Sequence, residues 1–160
     1  MTISPQMQLK IDRIEDLMQD GYTLNKTSLG FIDFRNSSGK PVNITGGFKS
    51  SPAGFSWAGF FFPFVVCTQI KEWSYFCVVG SFWVILAIIE GLTKIPVGSN
   101  PSVGIGISML YGYMLPYLRR IAKDNGTVDG PVWLSIVIGF LLSVVCVLPA
   151  VIIDMLFGTI

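Results

Sequence analysis

The chain has 160 residues, a formal charge of +1, no histidine, and 13% charged against 51% hydrophobic residues. An ordinary globular domain carries about 25% charge, so this composition and a mean hydropathy of +0.62 put the chain in the membrane class. Imidazole chemistry is excluded, no basic cluster is large enough for a nucleic-acid footprint, and the three cysteines form no CxxC pair that would hold a metal or a redox couple.

Residues 1–20 have the pattern of an amphipathic helix. Ser4 can cap it, Pro5 suits its first position and Gly21 ends it. Met7, Ile11, Ile14, Leu17 and Met18 fall on one face, and the charged face is net acidic. Helices that lie on anionic membranes are usually rich in Lys and Arg, so this one is expected to dock on protein, its own chain or a partner's. The acids of this segment also rule out a signal peptide, so insertion is expected to be driven by internal apolar blocks. Residues 22–50 predict a short β-hairpin or an irregular polar cap, with Phe31–Phe34 and Val42–Thr45 as strand candidates around the turn material Asn36–Gly39.

Four apolar blocks follow: Phe55–Ile70, Trp73–Leu92, Val103–Leu118 and Val132 to about Phe157. A span takes about 20 residues. The second and fourth blocks reach this length. The first and third are marginal, and the first is broken by Pro63 and crowded with aromatics. Asn100-Pro101 and Asp129-Gly130-Pro131 are start signals for the third and fourth.

Bases near spans stay on the cytoplasmic side. With four full spans and the N-terminus inside, Lys71, Arg119, Arg120 and Lys123 would face out. If the first block only dips into the membrane and returns, Lys94 alone does. The expected fold is therefore an all-α membrane protein. Three transmembrane helices and one re-entrant or interfacial aromatic-rich helical segment (residues 51–160) carry a small N-terminal cytoplasmic helix and β-hairpin (residues 1–50); four spans are the alternative. Trp57, Trp73, Tyr117, Arg119, Arg120 and Trp133 would then line the inner interface.

Gly104, Ser108 and Gly112 recur every four residues in the third block, as do Ser135, Gly139 and Ser143 in the fourth. Such stripes let helices approach closely in lipid, so they predict packing of these two helices on each other or an oligomer seam. Glu90 and Asp154 are the acids inside the apolar blocks, and Lys94 lies one turn beyond Glu90. Ionisable groups there suggest function; the three residues are the candidate polar pocket, with interfacial, partly hydrated carboxylates as the plainer reading. No catalytic constellation, cofactor motif or metal-ligand spacing is present, and no cofactor is expected.

The stretch Gly54-Phe55-Ser56-Trp57-Ala58-Gly59-Phe60-Phe61-Phe62-Pro63-Phe64, the step Lys71-Glu72-Trp73, and the later run Tyr111-Gly112-Tyr113-Met114-Leu115-Pro116-Tyr117-Leu118-Arg119-Arg120 resemble a family of small bacterial membrane proteins of unknown function labelled DUF2628. The resemblance covers about residues 52–126. It departs at Pro63 and Gly112, where that family usually has Gly and Asn. It implies a bacterial inner membrane and a cytoplasmic N-terminus, and brings no catalytic residues with it. The expected function is that of a non-catalytic multi-pass inner-membrane protein acting through protein–protein interaction, of regulatory, immunity or exclusion type, with membrane lipid and a protein partner or further copies of itself as its contacts and no nucleic acid. The alternative is a subunit of a small oligomeric channel or transporter.

Overall fold

The computed structural model describes residues 4–46, 51–95 and 101–158. It is mostly helical: α1 (Pro5–Gln19), β1 (Thr23–Lys26), β2 (Ile32–Arg35), α2 (Trp57–Phe61), α3 (Pro63–Gln69), α4 (Ser74–Thr93), α5 (Pro101–Asp124) and α6 (Val132–Phe157). Asn100, read above as a helix cap, and Lys49 lie outside the described residues.

The N-terminal helix forms as its sequence dictates. Ser4 Oγ accepts from Met7 N–H at 3.3 Å, Pro5 opens the helix, and Gly21 leaves it at φ 89°. Its apolar face is already occupied: Met7, Ile11 and Ile14 are buried, against α5. The hairpin differs from expectation. Ile32–Arg35 pairs antiparallel with the earlier Thr23–Lys26, Leu24 opposite Phe34, and Val42–Thr45 is not a strand. The turn at Asn36–Gly39 does form, stitched by Asn36 Oδ1 to the amides of Ser38 and Lys40, but beyond it only a bridge between Arg35 and Pro41 persists. The pairing turn, Thr27–Gly30, presses on the start of α4. A Cβ at Gly30 would overlap Ser74 Oγ, and its φ of 85° belongs to glycine.

The first apolar block is broken where Pro63 stands. Phe62 ends α2 and Pro63 opens α3. Both ends of this helical pair lie at the cap end of the bundle. Ahead of α2, Ala53 N–H donates to Tyr117 Oη at 3.3 Å. Behind α3, Lys26 of the hairpin donates to Glu72 at 2.8 Å. Between these ends, Gly59 lies against Tyr111 and Leu115 of α5, and Gly139 of α6 against Phe64 and Thr68 of α3. The pair therefore sits as a wedge between α5 and α6.

Among the described residues two helices, not three or four, are long and apolar enough to cross a membrane: α4 with 20 residues and α6 with 26. They run parallel, with Gly80 opposite Cys146 and, eleven residues further along each, Gly91 opposite Phe157. At 1.5 Å per residue they are about 30 and 39 Å long. Only 28% and 11% of their most apolar stretches are buried within the chain, so Phe140, Leu141, Val145, Leu148 and Ile152 of α6 lie exposed. The third block, expected to be a span, is divided. In α5 every residue from Tyr111 to Leu118 is buried, and Arg119 and Arg120 follow at once. This half of the helix is the shared core of the cap and the wedge; the half before it is largely exposed.

Candidate functional site

The charged side chains concentrate where the cap meets the bundle, and they are paired. Glu72, 8% exposed, accepts both from Lys26 and from Ser74 Oγ. Arg119 donates to Asp129 Oδ2 at 3.0 Å and to Gln69 Oε1 at 3.1 Å, tying the loop before α6 to the end of α3. Glu15 of α1 meets Arg120 at 3.1 Å and Lys123 at 3.0 Å, and Arg120 also pairs with Asp124. Lys10 Nζ donates to Phe55 O, and burial, helped by the neighbouring Arg13 charge, holds its ammonium below the usual lysine range.

Beneath these pairs lies an apolar plug of Ile14, Phe34, Ala53 and Tyr117. The Phe34 ring is 5.5 Å from that of Tyr22 and 5.3 Å from that of Tyr117. Burial pushes the Tyr117 phenol above its ordinary value, an effect partly offset by the Ala53 amide that donates to it.

Several sequence expectations meet this geometry differently. Tyr117 is 0% exposed, so it cannot reach an interface; its ring completes the cap core. Arg119 and Arg120 are largely buried in ion pairs rather than free to meet headgroups. Asp129 does not cap α6, whose start has no side-chain cap; it holds Arg119 instead. Trp57, Trp73 and Trp133 do lie exposed, at 60, 49 and 67%, each at the cap-proximal start of α2, α4 or α6. Phe61 and Phe62, at the turn of the wedge, are also exposed.

The small-residue stripes are close-packing surfaces for other neighbours. Gly112 receives the Phe55 ring, and a methyl at Gly139 would sit 2.8 Å from Phe64 O. Ser135 and Ser143 bond back to their own helix, to Pro131 O and Gly139 O. Gly104 faces open space, and Ser108 is half-buried on the same half of α5. The contact that sequence reasoning missed is α4 on α6, signalled by Gly80 and Gly91, which fell outside any four-residue stripe.

Glu90, Lys94 and Asp154 share the far end of the α4–α6 pair, by the register that sets Gly91 against Phe157. Lys94, left-handed at φ 58°, donates to Phe157 O at 2.8 Å and sits 5.9 Å from that ring's centre. None of the three lines a described cavity. Two apolar cavities flank α4. One of about 430 Å³ separates α4 from α5, and one of about 460 Å³ runs along α4 under the hairpin turn. Among the described residues no group of three or more Cys, Asp or Glu side chains is arranged to hold a metal.

No family model matches the chain, and neither a curated protein nor a solved structure does.

Proposed function

We propose that the chain is a non-catalytic multi-pass membrane protein, and that its cap is a docking platform for another protein. The carrying observation is the commitment of the cap. The apolar face of α1 is spent on α5, and the junction's ionisable groups are spent on internal pairs. What remains outward is the other face of α1, where Leu9 is exposed at 61% beside Arg13, Asp16 and Asp20. Paired, structural charges support a clasp rather than a reaction centre.

The bilayer reading rests on the exposed carbon surface of α4 and α6, far beyond the patches a soluble monomer shows, and on three exposed indoles, each at the start of its helix, as expected of an interface belt. A re-entrant first block has its own support. Four full spans would hold Lys26 and Glu72 about 30 Å apart, across the hydrocarbon, yet they are 2.8 Å apart. Because α4 and α6 run parallel, the chain returns between them, with α5 as the returning helix. That gives three crossings and termini on opposite sides. With Lys94 at the far end and the other described bases at the cap end, the N-terminus is cytoplasmic, in a bacterial inner membrane as the DUF2628 resemblance implies. The channel alternative draws on Glu90, Lys94 and Asp154 sharing one end; it requires several copies, and unchanged ion flux after Glu90→Gln with Asp154→Asn refutes it.

The test is affinity capture from native membranes with wild type and with Leu9→Asp/Asp16→Lys, whose changes lie outside the clasp. One protein captured by wild type and at least fivefold depleted with the variant is the expected result. Equal recovery of every protein by both refutes the platform.

A further inference from the structure

The two apolar cavities flanking α4 are unused by the cap and the wedge. The first is bordered toward the cap by Tyr111 and by Phe31 of the hairpin. Beyond them Val78, Val79 and Phe82 of α4 face Val103, Gly106, Ile107 and Leu110 of α5 across open space. The second shares Phe31, Val78 and Phe82 with it and climbs α4 from Ile85 to Ser74.

We infer that this groove is a binding site for one phospholipid of the surrounding bilayer, an acyl chain lying between α4 and α5 and the headgroup at the hairpin turn. The inference rests on the membrane reading above. Three features select a lipid. The groove changes polarity along its length as a phospholipid does: hydroxyls of Ser28 and Ser74 and the Lys26–Glu72 pair mark its upper end, and its lower walls, apart from Ser81 and Ser102, are carbon. Its run from Ser74 to Ile85, eleven residues at about 1.5 Å each, is about one leaflet deep. Its walls are almost wholly apolar, and an apolar space at hydrocarbon depth does not hydrate; the acyl chains beside it are the solvent that fills it.

Gly106 makes the site testable without disturbing the packing, because a Cβ there meets nothing within 4 Å. Gly104, equally open, is absent from the cavity wall and serves as the matched control. Native mass spectrometry after exchange into a delipidating detergent is expected to show one phospholipid per chain on wild type and on Gly104→Leu, and at least fivefold less on Gly106→Leu. A benzophenone-bearing residue at position 107 is expected to capture that lipid in intact wild-type membranes and to keep it through the exchange; one at position 141, on the open face of α6, is not. Equal retention by both glycine variants overturns the site, as does a polypeptide captured at position 107, whether a second copy or another protein. A chain that stays folded and soluble with no detergent fails the membrane reading before lipid retention is measured.

Discussion

Phe34→Ala is the sharpest probe of how the cap is held. Phe34 is 2% exposed and fills the space between Tyr22, Ile14 and Tyr117. Truncating such a ring costs about 3–5 kcal/mol, transfer and cavity together. The partly exposed ion pairs of Glu15 with Arg120 and Lys123 contribute about 0–1 kcal/mol each, so the plug dominates the clasp. At 1.4 kcal/mol per factor of ten, opening of the cap should rise about 10²- to 4 × 10³-fold. Hydrogen exchange of residues 5–46 in a micelle or nanodisc measures this directly, with Val128→Ala, at an exposed site, as the silent control. A rise below about threefold with Phe34→Ala, or an equal rise on removing the Glu15 pairs, would refute the reasoning.

Other outcomes follow from the same geometry. Gly139→Leu should push α3 off α6, because the added carbon meets the Phe64 carbonyl; a loss of about 1–3 kcal/mol or more is expected from overpacking, read as a lower unfolding temperature in detergent. Lys26→Met should leave the buried Glu72 with Ser74 Oγ but without its cation, costing about 1–3 kcal/mol, below the value for a fully buried pair because Lys26 is one-third exposed; protease cleavage within the hairpin reports it. Tyr117, with its folded-state pKa raised above the ordinary 10.0, contributes stability that is complete below pH 10 and is lost as pH rises through the folded value. Cap exchange should therefore accelerate in that alkaline window, and Tyr117→Phe should remove this component. Lipids brominated near the headgroup should quench the exposed indoles Trp57, Trp73 and Trp133 more strongly than lipids brominated near the methyl end.

Local signals were legible in the sequence where one residue type decides the backbone. Ser4-Pro5 started α1, Gly21 ended it, and Pro63 broke the first block. Partner choice was not legible, because it depends on three-dimensional neighbours. Phe31–Phe34 read as a strand candidate, close to the observed Ile32–Arg35, but the expected partner was Val42–Thr45, and nothing local marked Thr23–Lys26 as the segment that pairs with it. Tyr117 followed by two arginines looked like an interface anchor because that composition is typical of one; its burial is caused by α1 and the hairpin folding back over α5. The glycine stripes marked Gly112 and Gly139, but periodicity cannot name what approaches: Phe55 and α3 reach them, while Gly104 faces open space.

The orientation of the chain is the prediction on which the membrane reading turns. Lys26 bonded to Glu72, and Glu15 bonded to Lys123, place positions 71 and 123 beside the cap, and Lys94 sits against Phe157 at the other end of α4. With the native Cys67, Cys77 and Cys146 replaced, a single cysteine at position 71 or 123 should resist an impermeant thiol reagent in intact cells and react after lysis, whereas one at position 94 should react in intact cells. An alternating result, 71 open from outside and 94 shielded, would demand a full crossing by residues 55–70. The aromatic wedge would then have to leave both Tyr111 and Gly139, and the 2.8 Å pair of Lys26 and Glu72 could not exist.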